Sequence, residues 1–446
     1  MFRRILIANR GEIARRIARA CKALSIETVG VYSEADGGAA WLADMDATVC
    51  VGPAAASSSY LDADAILQAA EQTECQALHP GYGFLSENAR FAARCAQAGL
   101  TFIGPGPEAL RRMGDKAEAR RTLHAAGLPT VPGSPGILPS VEQAAAEART
   151  VGYPVLLKAT AGGGGKGMRR CEGEADLPRA FGEAALEAEK AFGDPGLYLE
   201  KLVLGARHVE FQVLVDGEGK AVHLGERECS VQRHHQKLLE EAPSPALSRE
   251  ERETFGARIA SALAGVGYRG AGTAEFLRAR DGALYFMEVN ARLQVEHPVT
   301  EMVTGVDLVE QQIRVAAGEP LSLRQEDLAP RGHAIELRIN AEDPDAGFRP
   351  DPGTITKLRL PAGARWDGGF EEGSRIPPHY DSLIGKLIVH AADRPAAIEA
   401  ARAALDGLVL EGVHTTIPLH RRVLDDPQFR SGRYDLDLLA AAKAGR

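Results

Sequence analysis

The chain is poor in aromatics, 5% of its 446 residues, and no apolar run approaches the roughly 20 residues a spanning helix needs. A membrane protein is not expected. Cysteine is scarce as well. Cys21, Cys50, Cys75, Cys95, Cys171 and Cys229 lie far apart, with no CxxC pair and no Cys/His ligand spacing. That argues against a disulfide scaffold or a zinc module and for reduced core thiols. A catalytic cysteine has no flanking sequence to support it. Nor is there an excess of positive charge: 52 Lys and Arg stand against 61 Asp and Glu, for a formal charge of −9. An acidic chain is a poor nucleic-acid scaffold, although a local basic pocket for phosphates remains open to it. The N-terminal apolar run, Ile5 to Ala8, is followed at once by Asn9-Arg10-Gly11-Glu12 and is too short for a signal segment. No export is expected, and a cytoplasmic location is.

What is present reads as an ordinary globular protein, 45% apolar and 25% charged, long enough for two or three domains. Short β-rich runs (Ile5–Ala8, Thr28–Tyr32, Ala47–Val51, Ala77–His79, Thr101–Ile103) alternate with helical patterns (Gly11–Leu24, Asp62–Glu71, Ser86–Ala98). This predicts an α/β unit with a mostly parallel sheet, whose ligand-facing loops lie at the strand carboxyl ends. Asn9-Arg10-Gly11 and His79-Pro80-Gly81-Tyr82-Gly83 are the candidate rim loops. A Pro- and Gly-rich stretch from Gly127 to Ser140 marks a boundary. Beyond it, strands at Pro154–Ala159, Met168–Cys171 and Leu197–Leu202 surround a helix from Ala175 to Phe192. From His208 the chain becomes strand-rich, and its alternation predicts a half-buried antiparallel strand. Glu319 to Gly332 reads as a polar connector, and the helix Pro395–Leu408 lies in the mixed remainder.

Four consecutive glycines, Gly162 to Gly165, precede Lys166-Gly167 between two predicted strands. The Walker pattern fails here, because Thr160 stands where its first glycine belongs and Gly167 where Ser or Thr belongs. A GxGxxG match exists, but a strand follows it instead of a helix. A strand–glycine–strand flap over a triphosphate fits better, with Lys158 at the end of the preceding strand to pair with phosphate. A flexible surface hairpin is the alternative.

Thr273–Leu277 and Leu284–Val289 flank Asp281-Gly282, a hairpin signal. A two-residue turn at that point sets Glu275 opposite Glu288, with Cβ atoms about 5 Å apart, and puts Asn290 on the face of Glu288. Opposed carboxylates repel unless a cation lies between them, and oxygen donors of this kind suit Mg²⁺ bridging a nucleotide. Two solvated glutamates on an outer face are the alternative. The alternation continues through Arg292, Gln294 and Glu296, a fork for an oxyanion with a carboxylate beside it, or a structural salt bridge. Gln232-Arg233-His234-His235-Gln236-Lys237 follows a strand expected to end near Glu228. It lacks zinc-ligand spacing and reads as a basic loop that either contacts an anionic substrate or is simply solvated.

Taken together, Arg4–Ala14, His79–Asn88, Met113–Lys116, the glycine loop, Gly225–Lys237, Met287–Pro298 and Glu336–Asp343 resemble the biotin carboxylase family, in its order and over nearly the whole chain. The resemblance implies a mixed α/β and α+β fold. Its parts would be a Rossmann-like parallel-sheet N-terminal domain (1–114), an ATP-grasp domain (115–318) with a mobile glycine-rich lid at about 131–203, and a C-terminal α+β domain (330–446). It implies a ligase that forms a C–N bond by carboxylating biotin with ATP and bicarbonate. Lys116, Lys158, Gly164 and Gly165 would hold phosphates, and Glu200, Lys201, Leu202 and Val203 would read adenine. His208 and His235 match nucleotide contacts, and Glu275, Glu288 and Asn290 match the Mg²⁺ (or Mn²⁺) ligands. Lys237, Arg292, Gln294 and Val295 match the bicarbonate site and Glu296 the base. Arg338 matches the group set against the ureido oxygen of biotin, and Tyr82 lies in a loop lining that pocket. Ala161, Lys166 and His379 depart from frequent family residues without touching a catalytic step.

None of the six methionines precedes lysine, as one does at the biotin-attachment lysine of larger carboxylases, so a separate biotin carboxyl carrier protein is expected. Carboxyltransferase subunits and a homodimer are the other expected partners, and acetyl-CoA is the simplest final acceptor. The rivals are another ATP-grasp ligase, of the carbamoyl-phosphate or purine type, and a non-catalytic nucleotide-binding subunit.

Overall fold

The computed structural model describes residues 1–160 and 167–440. Five strands, β1 (Arg4–Ile7), β2 (Glu27–Tyr32), β3 (Ala47–Cys50), β4 (Ala77–His79) and β5 (Thr101–Phe102), form a parallel sheet in the order β3-β2-β1-β4-β5. Alternation along β1 sends its side chains to two separate cores. Leu6 packs with Val29, Leu78 and Phe91, whereas Ile5 and Ile7 pack with Ile13, Ile17, Trp41 and Leu308. Burial on both faces is what a central parallel strand requires, whereas the edge strand β3, expected to be buried, has its four residues exposed or half-buried. The helix expected from Ser86 begins at Ala89, because the Asn88 side chain accepts the Phe91 N–H and caps it there. Ser86 and Glu87 therefore stay in the preceding turn.

The strands β6 (Val155–Ala159), β7 (Met168–Cys171) and β8 (Leu197–Lys201) form a small antiparallel sheet in the order β7-β6-β8. The helices Val141–Val151 and Leu177–Phe192 cover it, over a core of its own that includes Leu157, Leu199 and Cys171. The second helix starts two residues later than expected, after a 3-10 turn over Glu174–Asp176. Gly164 and Gly165 lie outside the described residues.

The largest sheet has eight strands. It begins with β9 (Arg207–Val215), β10 (Ala221–Arg233), β11 (Gln236–Ala242), β12 (Gly270–Arg278), β13 (Leu284–Asn290) and β14 (His333–Asn340) in the order β13-β12-β9-β10-β11-β14, and continues through Leu383–Ala391 to Arg365–Gly368 at its edge. The connector at 319–332 thus joins two parts of one sheet. The half-buried expectation for β9 does not hold, since every residue from His208 to Val215 is buried. Val209, Phe211, Val213 and Val215 share a core with Ile259 and Leu263 of the helix Arg249–Gly265, and the opposite face, with His208, Glu210 and Gln212, is closed by the site itself. The strand expected to end near Glu228 runs on to Arg233 through two register shifts. His234 and His235 then form a two-residue hairpin tip, both at positive φ (46° and 67°). Turns of this kind favour glycine and asparagine, so two histidines there hold a strained backbone.

The six cysteines are unpaired, and four of them are buried, while Cys50 is exposed and Cys75 half-buried. Among the described residues no helix is long and apolar enough to cross a membrane.

Candidate active site

A cavity of about 1040 Å³ opens between the parallel sheet, the small three-stranded sheet and the polar face of the large sheet. Every described residue expected at the site lines it except Glu296, which is fully buried behind Lys237. Asn9, Arg10, Gly11, Tyr82 and Gly83 line it from the strand carboxyl ends, and the Asn9 side chain joins the two rim loops by donating to the carbonyls of Pro80 and Tyr82, both at 2.7 Å.

Glu275 and Glu288 are direct cross-strand partners, and Thr273 pairs with Asn290. Two departures from the expected hairpin cancel to give this result. The loop is one residue longer, with Arg278 paired to Leu284 and the Ala279 N–H bonded to the Ala283 carbonyl. A register shift between Glu275 and Phe276 then restores the pairing. Asn290 Nδ2 and Gln294 Nε2 donate to Glu275 Oε1 at 2.8 and 3.1 Å, and His208 Nε2 lies 3.2 Å from Oε2. Glu288 is more open and lies 3.5 Å from Lys116 Nζ.

Lys237 is the centre of charge. Its Nζ donates to Glu210 at 2.5 Å, Glu275 at 2.9 Å and Glu296 at 2.7 Å. Burial works against the ammonium, but the three carboxylates hold its pKa well above the usual lysine value. Burial likewise opposes ionisation of Glu296, yet Lys237, Arg338 and Arg227 hold it well below the usual carboxylate range. Glu275 is lowered in the same way, against burial, chiefly by Lys237 and His208. Arg338 Nη2 donates to Glu296 at 2.9 Å and its Nε to Glu240 at 2.6 Å. Burial, with Glu296 nearby, pushes Glu240 up to about 7 against the pull of Arg338.

Arg292 reaches Gln294 Oε1 at 3.1 Å and Asn290 Oδ1 at 3.0 Å, so it crosses the ribbon face toward the carboxylates. Where the small sheet meets the cavity, Lys158 and Arg120 both pair with the buried carboxylate of Glu200. Lys201 turns its ammonium to the carbonyls of Gly152 and Tyr153 at 2.7 and 2.9 Å, and it lines the cavity together with Leu202 and Val203. His235 is at the rim on its strained turn.

Several residues at the site were not identified from the sequence. Glu87 accepts Arg292 Nε at 2.8 Å and the Ala291 N–H at 3.0 Å. Glu210 pairs directly with Glu275 across β9 and β12 and is held by Arg227 at 2.6 Å. Arg120, Arg227 and Glu240 hold Glu200, Glu210 and Arg338 in turn, and Leu436 lines the cavity. Glu87 falls within the His79–Asn88 motif, and Glu210 follows His208 by two residues on the same strand face, so both carried a local signal. The rest depend on long-range pairing. Cys229 is near Glu210 and Glu296, but burial, with Glu210 adding to it, pushes its thiol well above the usual range, which disfavours a thiolate nucleophile.

Three family models match the chain in series: biotin carboxylase N-terminal domain over residues 1–110, carbamoyl-phosphate synthase L chain ATP binding domain over 115–324, and biotin carboxylase C-terminal domain over 336–441. The biotin carboxylase of Pseudomonas aeruginosa is 51% identical over 442 residues, 98% of either chain. A biotin carboxylase–beta-gamma-ATP complex from Campylobacter jejuni has a TM-score of 0.96 at 46% identity, covering 99% of each chain. The biotin carboxylase domain dimer of Hydrogenobacter thermophilus 2-oxoglutarate carboxylase, with MgADP, ADP and bicarbonate, has a TM-score of 0.95 at 48% identity, covering 99% of this chain and 98% of that one.

Proposed function

The chain belongs to the biotin carboxylase family, and from that premise we propose that it uses ATP and bicarbonate to carboxylate biotin borne on a separate carrier protein. The observation that carries this reading is the cluster at Lys237. An ammonium shared by Glu210, Glu275 and Glu296, with Arg292 and Gln294 alongside, offers donors for a small planar oxyanion next to oxygen ligands for a metal–nucleotide. The carbamoyl-phosphate name belongs to the central segment alone, and biotin carboxylase segments flank it on both sides.

Bicarbonate is a poor electrophile and must be activated. Lys237 and Arg292 hold it, and Glu296, ionised at rest, takes its proton as the oxygen attacks the γ-phosphorus, the bond from that phosphorus to the β,γ-bridging oxygen breaks and ADP leaves. Glu296 becomes more basic as Lys237 turns toward the incoming anion. The product, carboxyphosphate, breaks its C–O bond to give carbon dioxide and phosphate; the phosphate takes the N1′ proton of biotin while Arg338 stabilises the enolate-like ureido oxygen, and N1′ then adds to the carbon of carbon dioxide to form the new C–N bond. Glu275, Glu288 and Asn290 supply hard oxygen donors on one ribbon and fit Mg²⁺ (or Mn²⁺), which when bound offsets charge on the transferring phosphoryl group. Lys116 and Lys158 act on the same charge. The adenine contacts at Glu200–Val203, the nucleotide contacts of His208, His235, Gly164 and Gly165, and the biotin contact of Tyr82 belong to the same reading. So do the domain division at 114/115 and near 318–330, and closure of the 131–203 unit as a lid that excludes water.

The carrier protein, carboxyltransferase subunits, a homodimer, a cytoplasmic setting and acetyl-CoA as final acceptor complete the proposal. The test is ATP hydrolysis by the purified chain. It is expected to require bicarbonate and to rise with free biotin, and indifference to biotin would favour another ATP-grasp ligase. ATP binding without turnover would favour a non-catalytic subunit.

A further inference from the structure

Lys386 has no exposed side-chain surface, an unusual state for a lysine, and it does not line the cavity. It lies on the strand Leu383–Ala391, between Arg338 on β14 and Asp367 on the edge strand. Its Nζ donates to the Val295 carbonyl at 2.8 Å and lies 3.1 Å from Glu12 Oε1. Glu12, itself buried, accepts the Tyr82 hydroxyl on the same oxygen. Burying an ammonium this fully is costly unless it is paired, and the bonds it makes here lead to two different parts of the site.

The Val295 carbonyl belongs to the peptide that leads into Glu296. A donor on that oxygen fixes the peptide plane, and with it the point from which Glu296 reaches Lys237 and Arg338. Through Glu12 the same ammonium reaches Tyr82, in the loop already tied to Asn9.

We propose that Lys386 and Glu12 are positioning residues that join the bicarbonate segment at Val295–Glu296 to the biotin-side loop at Tyr82, so that the two substrate sites are built as one unit. This rests on the functional reading above. Lys386 touches no substrate and acts through the Val295–Glu296 backbone, and Glu12 acts through the Tyr82 hydroxyl.

The test uses the full chain and begins with bicarbonate-dependent, biotin-stimulated ATP hydrolysis by the wild type. If that activity is missing, it is the functional reading that fails. Given the activity, Lys386→Met is expected to raise the KM for bicarbonate by about tenfold or more and to raise the KM for free biotin with it, while the KM for ATP stays within about twofold. Glu12→Gln leaves Lys386 on the Val295 carbonyl, so it is expected to raise the KM for free biotin and hold that for bicarbonate near wild type. Lys386→Met strands a buried carboxylate and is the variant at risk of misfolding. The double variant Glu12→Gln/Lys386→Met removes both charges and is expected to fold and to keep the bicarbonate defect. Bicarbonate and ATP constants that move together, or a double variant with a wild-type bicarbonate KM, would overturn the proposal.

Discussion

Replacing Lys237 with methionine removes the one ammonium that lies among Glu210, Glu275 and Glu296, whose side chains are 0%, 8% and 0% exposed. The lysine side chain is itself only 11% exposed, so solvent screens little of the interaction. Deleting one partner of a buried ion pair costs about 3–5 kcal/mol, and we expect Lys237→Met to lie in that range at pH 8. The dependence on pH separates this cause from ordinary loss of packing. In the wild type, Glu275 and Glu296 have lowered pKa values, so their contribution is fully present above the unfolded value of about 4.3 and is lost only as the pH falls toward the folded values. Between pH 8 and 5.5 the contribution of those two is constant, whereas Glu210, raised by burial and by Glu296 against the pull of Lys237 and Arg227, is the member of the cluster already disfavoured at the high end. In the variant, burial and mutual repulsion raise the carboxyls above their unfolded values. Such groups destabilise the fold at high pH, and the penalty fades as they take up protons. Urea denaturation of the nucleotide-free chain should therefore show the deficit shrinking by about half or more from pH 8 to 5.5, alongside loss of bicarbonate-dependent ATP hydrolysis. An equal deficit at both pH values, or one below about 1 kcal/mol, would refute the electrostatic account of this cluster.

Glu87→Ala should free the Arg292 guanidinium; a charge-assisted bond contributes about 1.5–3 kcal/mol, and with Glu87 42% exposed the lower end applies, so steady-state kinetics should show the KM for bicarbonate about tenfold higher with that for ATP unchanged. Glu240 titrates near 7 and grips Arg338 best when ionised, so the KM for biotin should rise as the pH falls from 8 to 6. In Glu240→Gln that KM should be high and flat over the same range. Glu288→Gln removes an accessible carboxylate, and a Mg²⁺ titration of the rate should show about a tenfold higher requirement with thermal stability unchanged.

The parts of the fold legible in the sequence were those with local periodicity. The parallel sheet, the strands of the small sheet and the Glu275–Glu288 ribbon all follow from alternation and turn residues, although the ribbon pairing survives only because a longer loop and a register shift offset each other. The convergence of Glu275, Glu288, Asn290, Arg292 and Gln294 on one cavity was legible because they lie on one β-ribbon and its extension. Their supports were not. Arg120 reaches Glu200 across 80 residues, Glu87 reaches Arg292 across 205, and Arg338 reaches Glu240 across 98. Such partners meet only once the sheet order is set, and nothing local announced that β11 pairs with β14 beyond the 319–332 connector. The full burial of β9 was missed for a related reason: its polar alternation marks a face turned to the site, where solvent was the simpler reading.

The central claim is that one bicarbonate oxygen attacks the terminal phosphorus of ATP at the Lys237–Arg292 pocket. Turnover with ¹⁸O-labelled bicarbonate, ATP and free biotin tests it most directly, by mass analysis of the inorganic phosphate released. Each biotin-dependent turnover should transfer one label to phosphate. Phosphate whose new oxygen comes from water would contradict the account.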